Sequence, residues 1–205
     1  MEFLIFGFLT GLSLILAIGA QNIFVIEQGL KRQHVFLVSL ICSISDFILI
    51  FLGIFLFHYF NQFFNPTVHL TLNLLLIIFL VHFIYKKIQA IKNNEIPVLD
   101  QNIKTESIIN IFLKTLGFTY LNPHVYSDTV FFLGNFSKNF LFFEKIYFGI
   151  GATISSFLFF FTIGYLSNFL SKHLGSKKIW KIINLFIVFF MSGLIFYILK
   201  EILKT

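Results

Sequence analysis

The feature that most limits what this chain can become is the grouping of its apolar residues into six long runs. They lie at about 3–26, 35–58, 68–85, 108–133, 146–170 and 180–199, and polar connections part them. A helix needs about 20 mostly apolar residues to cross the hydrocarbon of a bilayer. Hydrocarbon offers no hydrogen bonds, so the backbone of each run must satisfy itself, and a helix does so. Composition points the same way. The chain is 58% hydrophobic and 12% charged, with a mean hydropathy of +0.90, whereas soluble domains are about 45–50% apolar and about 25% charged. One soluble core of 205 residues could not hide this much Phe, Ile and Leu, and the excess would aggregate in water. The expected fold is an all-α integral membrane protein, multi-pass, with six transmembrane helices in a single domain over residues 1–205.

The first run does not read as a cleaved leader despite the small Ala17 and Gly19. Its start carries Glu2 and no Lys or Arg, and its apolar stretch is too long. The net charge of +6 does not mark a nucleic-acid binder, because the lysines are spread thinly between apolar runs. In a membrane protein they report orientation. Lys31, Arg32, Lys86, Lys87, Lys92, Lys104, Lys172, Lys177, Lys178 and Lys181 connect runs 1–2, 3–4 and 5–6. Only Lys138, Lys145, Lys200 and Lys204 fall on the other side, with Lys114 inside the fourth run and able to snorkel back. Basic connections stay cytoplasmic, which places both termini outside. The polar loop 86–107 reads as a solvated linker. Cys42 is the lone cysteine, which excludes an intrachain disulfide and a cysteine-based zinc site. No other metal or cofactor site is expected.

Three runs precede the polar loop and three follow it, so related halves would have opposite orientations: a 3+3 inverted repeat. "GAQN" (Gly19 to Asn22) and "YLNP" (Tyr120 to Pro123) support this, each standing late in the first run of its half. Interrupted helices at matching positions of two halves are the sequence pointer to a transporter site.

Pro123 removes a helical hydrogen bond and crowds the carbonyl four residues earlier. In lipid that carbonyl needs a new partner, which Asn122 could supply; the plain alternative is a packing kink. Gln21 and Asn22 cannot both face one neighbour on an unbroken helix, so unwinding is expected at Gly19–Ala20. The competing reading is interhelical hydrogen-bond glue. His124 and Asp128, four apart, share a helix face, unless Asp128 already stands at the outer interface.

Asp46 carries more weight. It falls near the middle of its run, and Ser39, Cys42, Ser43 and Asp46 form one stripe that Gly53 extends. A carboxylate at that depth costs about 2.5–3.5 kcal/mol on insertion scales and marks function by default. Its structural alternative is a protonated Asp bonded to a neighbouring helix. "GIGATISS" (Gly149 to Ser156) reads as a close-packing surface with Thr153 or Ser155 on the pathway. His82, Asn73 and Asn184 read as packing or interface residues.

Two blocks, residues 11–46 and 119–134, resemble the lysine exporter (LysE) family. They hold "GLSLILAIGAQNIFVIEQGLKRQHV" with "LICSISD", and "LNPHVYSDTVFFLG". Neutral amino-acid exporters of that superfamily tend to carry Lys after Asn-Pro. His124 and the Val-Tyr-x-Asp after it resemble the lysine and arginine exporter branch. Two positions depart from the family's pattern: Ala20 stands where Pro is usual, and Ser127 where an apolar residue is usual. The resemblance implies export of basic amino acids (L-lysine, L-arginine) across a bacterial cytoplasmic (inner) membrane, by a transporter and not an enzyme. It leaves both monomer and homodimer open.

The residues suggest how such export would run. A cationic substrate needs an anionic partner when it leaves water, and Asp46 and Asp128 are available. One carboxylate cannot hold a proton and a cation together, and that competition is the minimal chemistry of antiport. Moving a positive charge out against an inside-negative potential costs about 2.3 kcal/mol per 100 mV, and exchange for a proton cancels it. Gln21, Asn22 and Asn122 would then bind the α-carboxylate and α-amino groups. Helix ends freed at Gly19 and Pro123 would add oriented dipoles and act as hinges, and His124 would relay protons or tune Asp128. The rival readings are export of a neutral amino acid or another small solute, and a membrane-embedded enzyme using His124 and Asp128.

Overall fold

The computed structural model describes residues 1–16, 19–63, 66–93, 106–171 and 177–203, and among them there are helices and no strand. In chain order these are α1 (Glu2–Ile15), α2 (Ala20–Lys31), α3 (Val35–Phe63), α4 (Pro66–Lys92), α5 (Ile108–Tyr120) and α6 (Pro123–Tyr126). A π-helical segment (Ser127–Phe132) follows, then α7 (Leu133–Ser137), α8 (Phe142–Leu170) and α9 (Lys177–Ile202). Val35–Phe57, Leu70–Lys92, Phe142–Leu170 and Lys181–Lys200 are each long and apolar enough to cross a membrane. The pair α1 and α2 makes a fifth candidate if it counts as one span, bent by 82°. α5 is apolar but too short to cross alone.

The exterior suits lipid. Phe189 is 80% exposed, Phe196 71% and Ile78 67%, a distribution that water would not tolerate and acyl chains do. Inside, Ser39, Cys42, Ser43 and Asp46 are all buried, so the stripe expected on α3 does face the bundle.

The broken helices pack across the molecule. α1 and α2 both lie on α8, while α5, the π-helical segment and α7 lie on α3. α3 packs on α8, and α4 on α9. In lipid, helix association depends on close approach more than on hydrophobic drive, and glycines permit it at these crossings. A Cβ on Gly11 would stand 2.6 Å from Ser155 Oγ, and one on Gly7 would strike the Phe148 carbonyl. Across the bundle, a Cβ on Gly53 would stand 2.6 Å from Val130 Cα, and one on Gly134 2.6 Å from the Gly53 carbonyl oxygen. The small-residue face of α8 was legible in the sequence; its partner face on α1, Gly7 and Gly11, was not read from it.

Caps fix several ends. Ser107 Oγ accepts the Asn110 N–H at the start of α5, and Glu144 reaches back to the Leu141 N–H, at 2.8 Å, at the start of α8. α2 ends at Arg32 in the left-handed region (φ 55°), whose Nε donates to Ser171 Oγ at 2.6 Å.

Two expectations need correction. The polar loop does not begin at residue 86, because α4 continues to Lys92. Nor is Lys87 part of a solvated linker, and Lys31 is drawn inward beside it. Both lie on helices, and their side chains are 8% and 13% exposed, because a carboxylate draws them inward. Ala17, Lys104, Lys172, Lys204 and linker residues 94–105 lie outside the described residues.

Candidate functional site

The first run is interrupted at Gly19, as expected, while Ala20 is already helical. α1 ends at Ile15, Gly19 is extended (φ −112°, ψ −178°) and caps α2, and Ala20 opens the new helix. Ala20 takes the first helical position, where Pro would also fit, and the break forms without Pro. In the second break α5 ends at Tyr120, Asn122 is extended, and Pro123 opens α6. Pro123 therefore starts a helix instead of kinking one.

Each break is repaired by a side chain from beyond it. Asn22 Nδ2 donates to the Ile15 carbonyl at 3.1 Å. The Tyr126 hydroxyl donates to the Tyr120 carbonyl at 2.9 Å. Asn122 does not supply the donor expected of it. Its side-chain oxygen accepts the His124 N–H at 3.1 Å, as an N-cap.

The two breaks face each other: a Cβ on Gly19 would meet Asn122 Nδ2 at 3.9 Å. Beside them lies a cavity of about 430 Å³, lined by Gly19, Gln21, Asn22, Asp46, Asn122, His124 and Asp128, with Ser155, Ser156 and apolar residues such as Leu76 and Leu80. That volume falls in the range of small-molecule sites, about 300–1,000 Å³. Pro123 is buried but is not part of the lining. Gln21, Asn22, Asp46, Asn122, His124 and Asp128 thus meet in one place, and Ser155 joins them, whereas Thr153 does not line the cavity.

Asp46 is 5% exposed and accepts one hydrogen bond, from Ser156 Oγ at 2.7 Å. Asp128 is half-buried and lines the same cavity. Among the described residues, no lysine or arginine forms an ion pair with either. Gln21, 5% exposed, has its amide Nε2 buried without a hydrogen-bond partner. Asn22, by contrast, donates to the break, and Asn122 uses its oxygen to cap α6. Asp128 stands in the π-helical segment, whose wider turn shifts it relative to His124; such π turns recur at functional sites. Ser127, unusual for the resemblance, donates to the Pro123 carbonyl at 3.2 Å.

Sequence reasoning missed two elements here. Ser156 was read only as packing, although a hydroxyl one residue from Ser155 on a small-residue face was a signal. The second is the aromatic packing beyond Gln21 on α2 and Leu80 on α4, toward the Lys31 and Lys92 ends. There Phe24, Phe79, Phe83 and Phe118 close on one another, with Phe118 centroids 4.6, 4.7 and 4.9 Å from those of Phe24, Phe79 and Phe83. One turn beyond this aromatic layer, Glu27 is paired with Lys31 and Lys87. Glu27 went unread because its partner Lys87 is distant in sequence.

A family model described as LysE type translocator matches residues 12–201. The chain belongs to this family. It is accordingly a membrane transporter and not an enzyme. Among similar proteins, the arginine exporter protein ArgO of Pectobacterium atrosepticum is 30% identical over 188 residues, 92% of each chain. The protein of the same name from Pectobacterium carotovorum subsp. carotovorum gives the same figures. That of Salmonella typhimurium is 29% identical over 195 residues, 95% of this chain and 92% of the relative. No solved structure matches this LysE type translocator.

Proposed function

We propose that the protein exports basic amino acids, L-lysine and L-arginine, across a bacterial cytoplasmic membrane in exchange for protons. Asp46 is the site that proton and cation share. The observation that carries this reading is a buried carboxylate on a cavity wall with a hydroxyl for company and no lysine or arginine paired to it among the described residues. A fixed charge so deep is stable only when something neutralises it. A proton does so when the site is empty, and the substrate's ammonium or guanidinium does so when it is full. Asp128 offers the second anionic group, with His124 beside it on the same wall.

The amino-acid end of the substrate is held at the breaks. Gln21 Nε2 has a donor without a partner, and the first turn of α2 directs its N–H groups and its positive dipole end toward a carboxylate. Asn122 and Asn22 shape the breaks and lie on the wall. The export substrate named for the relatives, arginine, fits a wall that pairs two carboxylates with carboxamides.

The architecture supporting this reading is six spans in a 3+3 inverted repeat, with both termini outside. α1–α2 and α5–α7 would each be one interrupted span. What favours the repeat is the pattern of crossings: each interrupted span lies on the second span of the other half, and the two third spans lie on each other. The breaks are then the hinges about which the halves rock.

The test uses everted vesicles with an imposed pH gradient and labelled arginine and lysine. Wild-type protein should accumulate both, and Asp46→Asn should reduce gradient-driven uptake to background. Export by Asp46→Asn at the wild-type rate removes Asp46 as the shared site. Protection of growing cells against canavanine and thialysine, but not against neutral analogues or metal salts, checks the substrate class.

A further inference from the structure

We propose that Glu27 is a second cation-binding site, which takes the charged end of the substrate before it reaches Asp46; Lys87 and Lys31 occupy it in this structure in the substrate's stead. The inference rests on basic amino-acid export and adds to it a residue of entry and selection.

Glu27 is 1% exposed, on α2 about one and a half turns beyond Asn22. It stands against a cavity of about 260 Å³ that also holds Lys31, Lys86, Lys87, Glu106 and Lys114. One of its oxygens, Oε1, accepts both ammoniums, from Lys31 and from Lys87. The other, Oε2, is buried with no hydrogen-bond partner. A buried carboxylate oxygen left bare is costly, and a carboxylate built only to bind lysines permanently would use both. Two cations crowded on one oxygen, with the second open, is the arrangement of a site that can add a donor or exchange one. A guanidinium or an ammonium brings the N–H groups that Oε2 lacks.

The route from there is short. Phe83 and Lys87 are one turn apart on α4, and Lys87 Nζ lies 5.1 Å from the centre of the Phe83 ring. Phe83 and Phe24 pack together, and along α4 and α2 they come between cavity-lining Leu80 and Gln21 and the Lys87–Glu27 pair. A cation that displaces Lys87 from Glu27 therefore frees a side chain that rests on this layer. Ring faces themselves attract cations, so the layer is a passable step for a guanidinium once Phe83 swings. Neutral amino acids have nothing to exchange with Lys87, and selection for charge happens before Asp46 is reached.

The experiment measures uptake of labelled arginine at each face, in everted and right-side-out vesicles, for wild type, Glu27→Gln and Lys87→Met. Glu27→Gln should raise KM by about tenfold at the face bearing the Lys31 and Lys92 ends, as expected for one charge-assisted hydrogen bond, and by less than about twofold at the other face. Lys87→Met should lower KM at the first face, because a tethered competitor is gone while Lys31 still neutralises Glu27. A merely structural ion pair gives the opposite sign for Lys87→Met. The proposal is overturned by an unchanged KM in Glu27→Gln, or by a KM that rises in Lys87→Met. If Glu27→Gln fails to fold, Lys87→Met alone decides. Wild-type vesicles that move no arginine overturn the export reading and this one with it; wild-type export with both variants unchanged overturns this one alone.

Discussion

Asp46 and Glu27 are both almost wholly removed from the exterior, 5% and 1% exposed, yet their neighbours differ in kind. Glu27 holds two lysines. Asp46 holds the hydroxyl of Ser156, and no lysine or arginine among the described residues is paired with it. The chain has fifteen basic residues, so cations were available to any position that could use one. Leaving a mid-bilayer acid without one is costly unless a mobile cation or a proton arrives to fill the place. The pair at Glu27 costs less, since its charge is already matched, but it gains little net stability because desolvation of both partners offsets their attraction. The kind of neighbour therefore separates the two acids better than burial does, and the proposed roles follow from it.

The strongest way to break that contrast is to give Asp46 a lysine of its own. Ser156→Lys places an ammonium where the hydroxyl now donates. A short tether holds it at an effective concentration in the mM range or above, so it should outcompete free substrate and displace the proton too. Gradient-driven arginine uptake in everted vesicles should fall to background while the protein stays folded by size-exclusion chromatography. Normal uptake by Ser156→Lys means that Asp46 is not where the cargo sits.

The reverse manipulation is to strip Glu27 of its lysines and to neutralise Asp46, and to compare stability. Lys31→Met with Lys87→Met leaves a buried carboxylate uncompensated, which typically costs about 3–5 kcal/mol. Asp46→Asn removes an unmatched acid and should leave stability unchanged or raised. Thermal unfolding in detergent checks both. Equal losses would mean that the two acids are structural in the same way.

What could be read in advance follows from range along the chain. Asp46 announced itself because Ser39, Cys42 and Ser43 share its helical face, and period alone shows that. Gly19 and Pro123 marked the breaks because their backbones are locally unlike their surroundings. Glu27 could not be found that way, since its partner Lys87 lies on α4 and only the folded bundle brings them together. Lys87 was misread for a related reason: a lysine after an apolar run looks like the start of a loop until a buried acid is known to await it. The π-helical turn at Ser127–Phe132 escaped as well, because nothing in its residue pattern marks a widened turn; the same segment packs closely on α3 at Gly53. The donor at the second break shows the same limit. Asn122 was the nearest candidate in sequence, and it caps α6 instead, while Tyr126, one helical turn on, reaches a carbonyl of the break, that of Tyr120.

The smallest effect concerns the rim of the Glu27 cluster, where Glu106 pairs with Lys114 just before α5. Burial alone would raise the Glu106 carboxyl. The hydrogen bond from Lys114 and the charges of Lys31 and Lys114 outweigh burial and hold it below the ordinary carboxylate value. A carboxyl depressed in the folded state contributes stability above its unfolded value, and that contribution is lost as pH falls through the folded one. The Glu106 side chain is 31% exposed, so solvent screens the pair and its worth is about 0.2–1 kcal/mol. Glu106→Gln should therefore lower the unfolding midpoint slightly at neutral pH, and the difference from wild type should vanish in acid. Arginine uptake should change little, because Glu27 keeps both its lysines. A large loss of uptake would move the boundary of the exchange site outward, to include the Glu106 pair with Glu27.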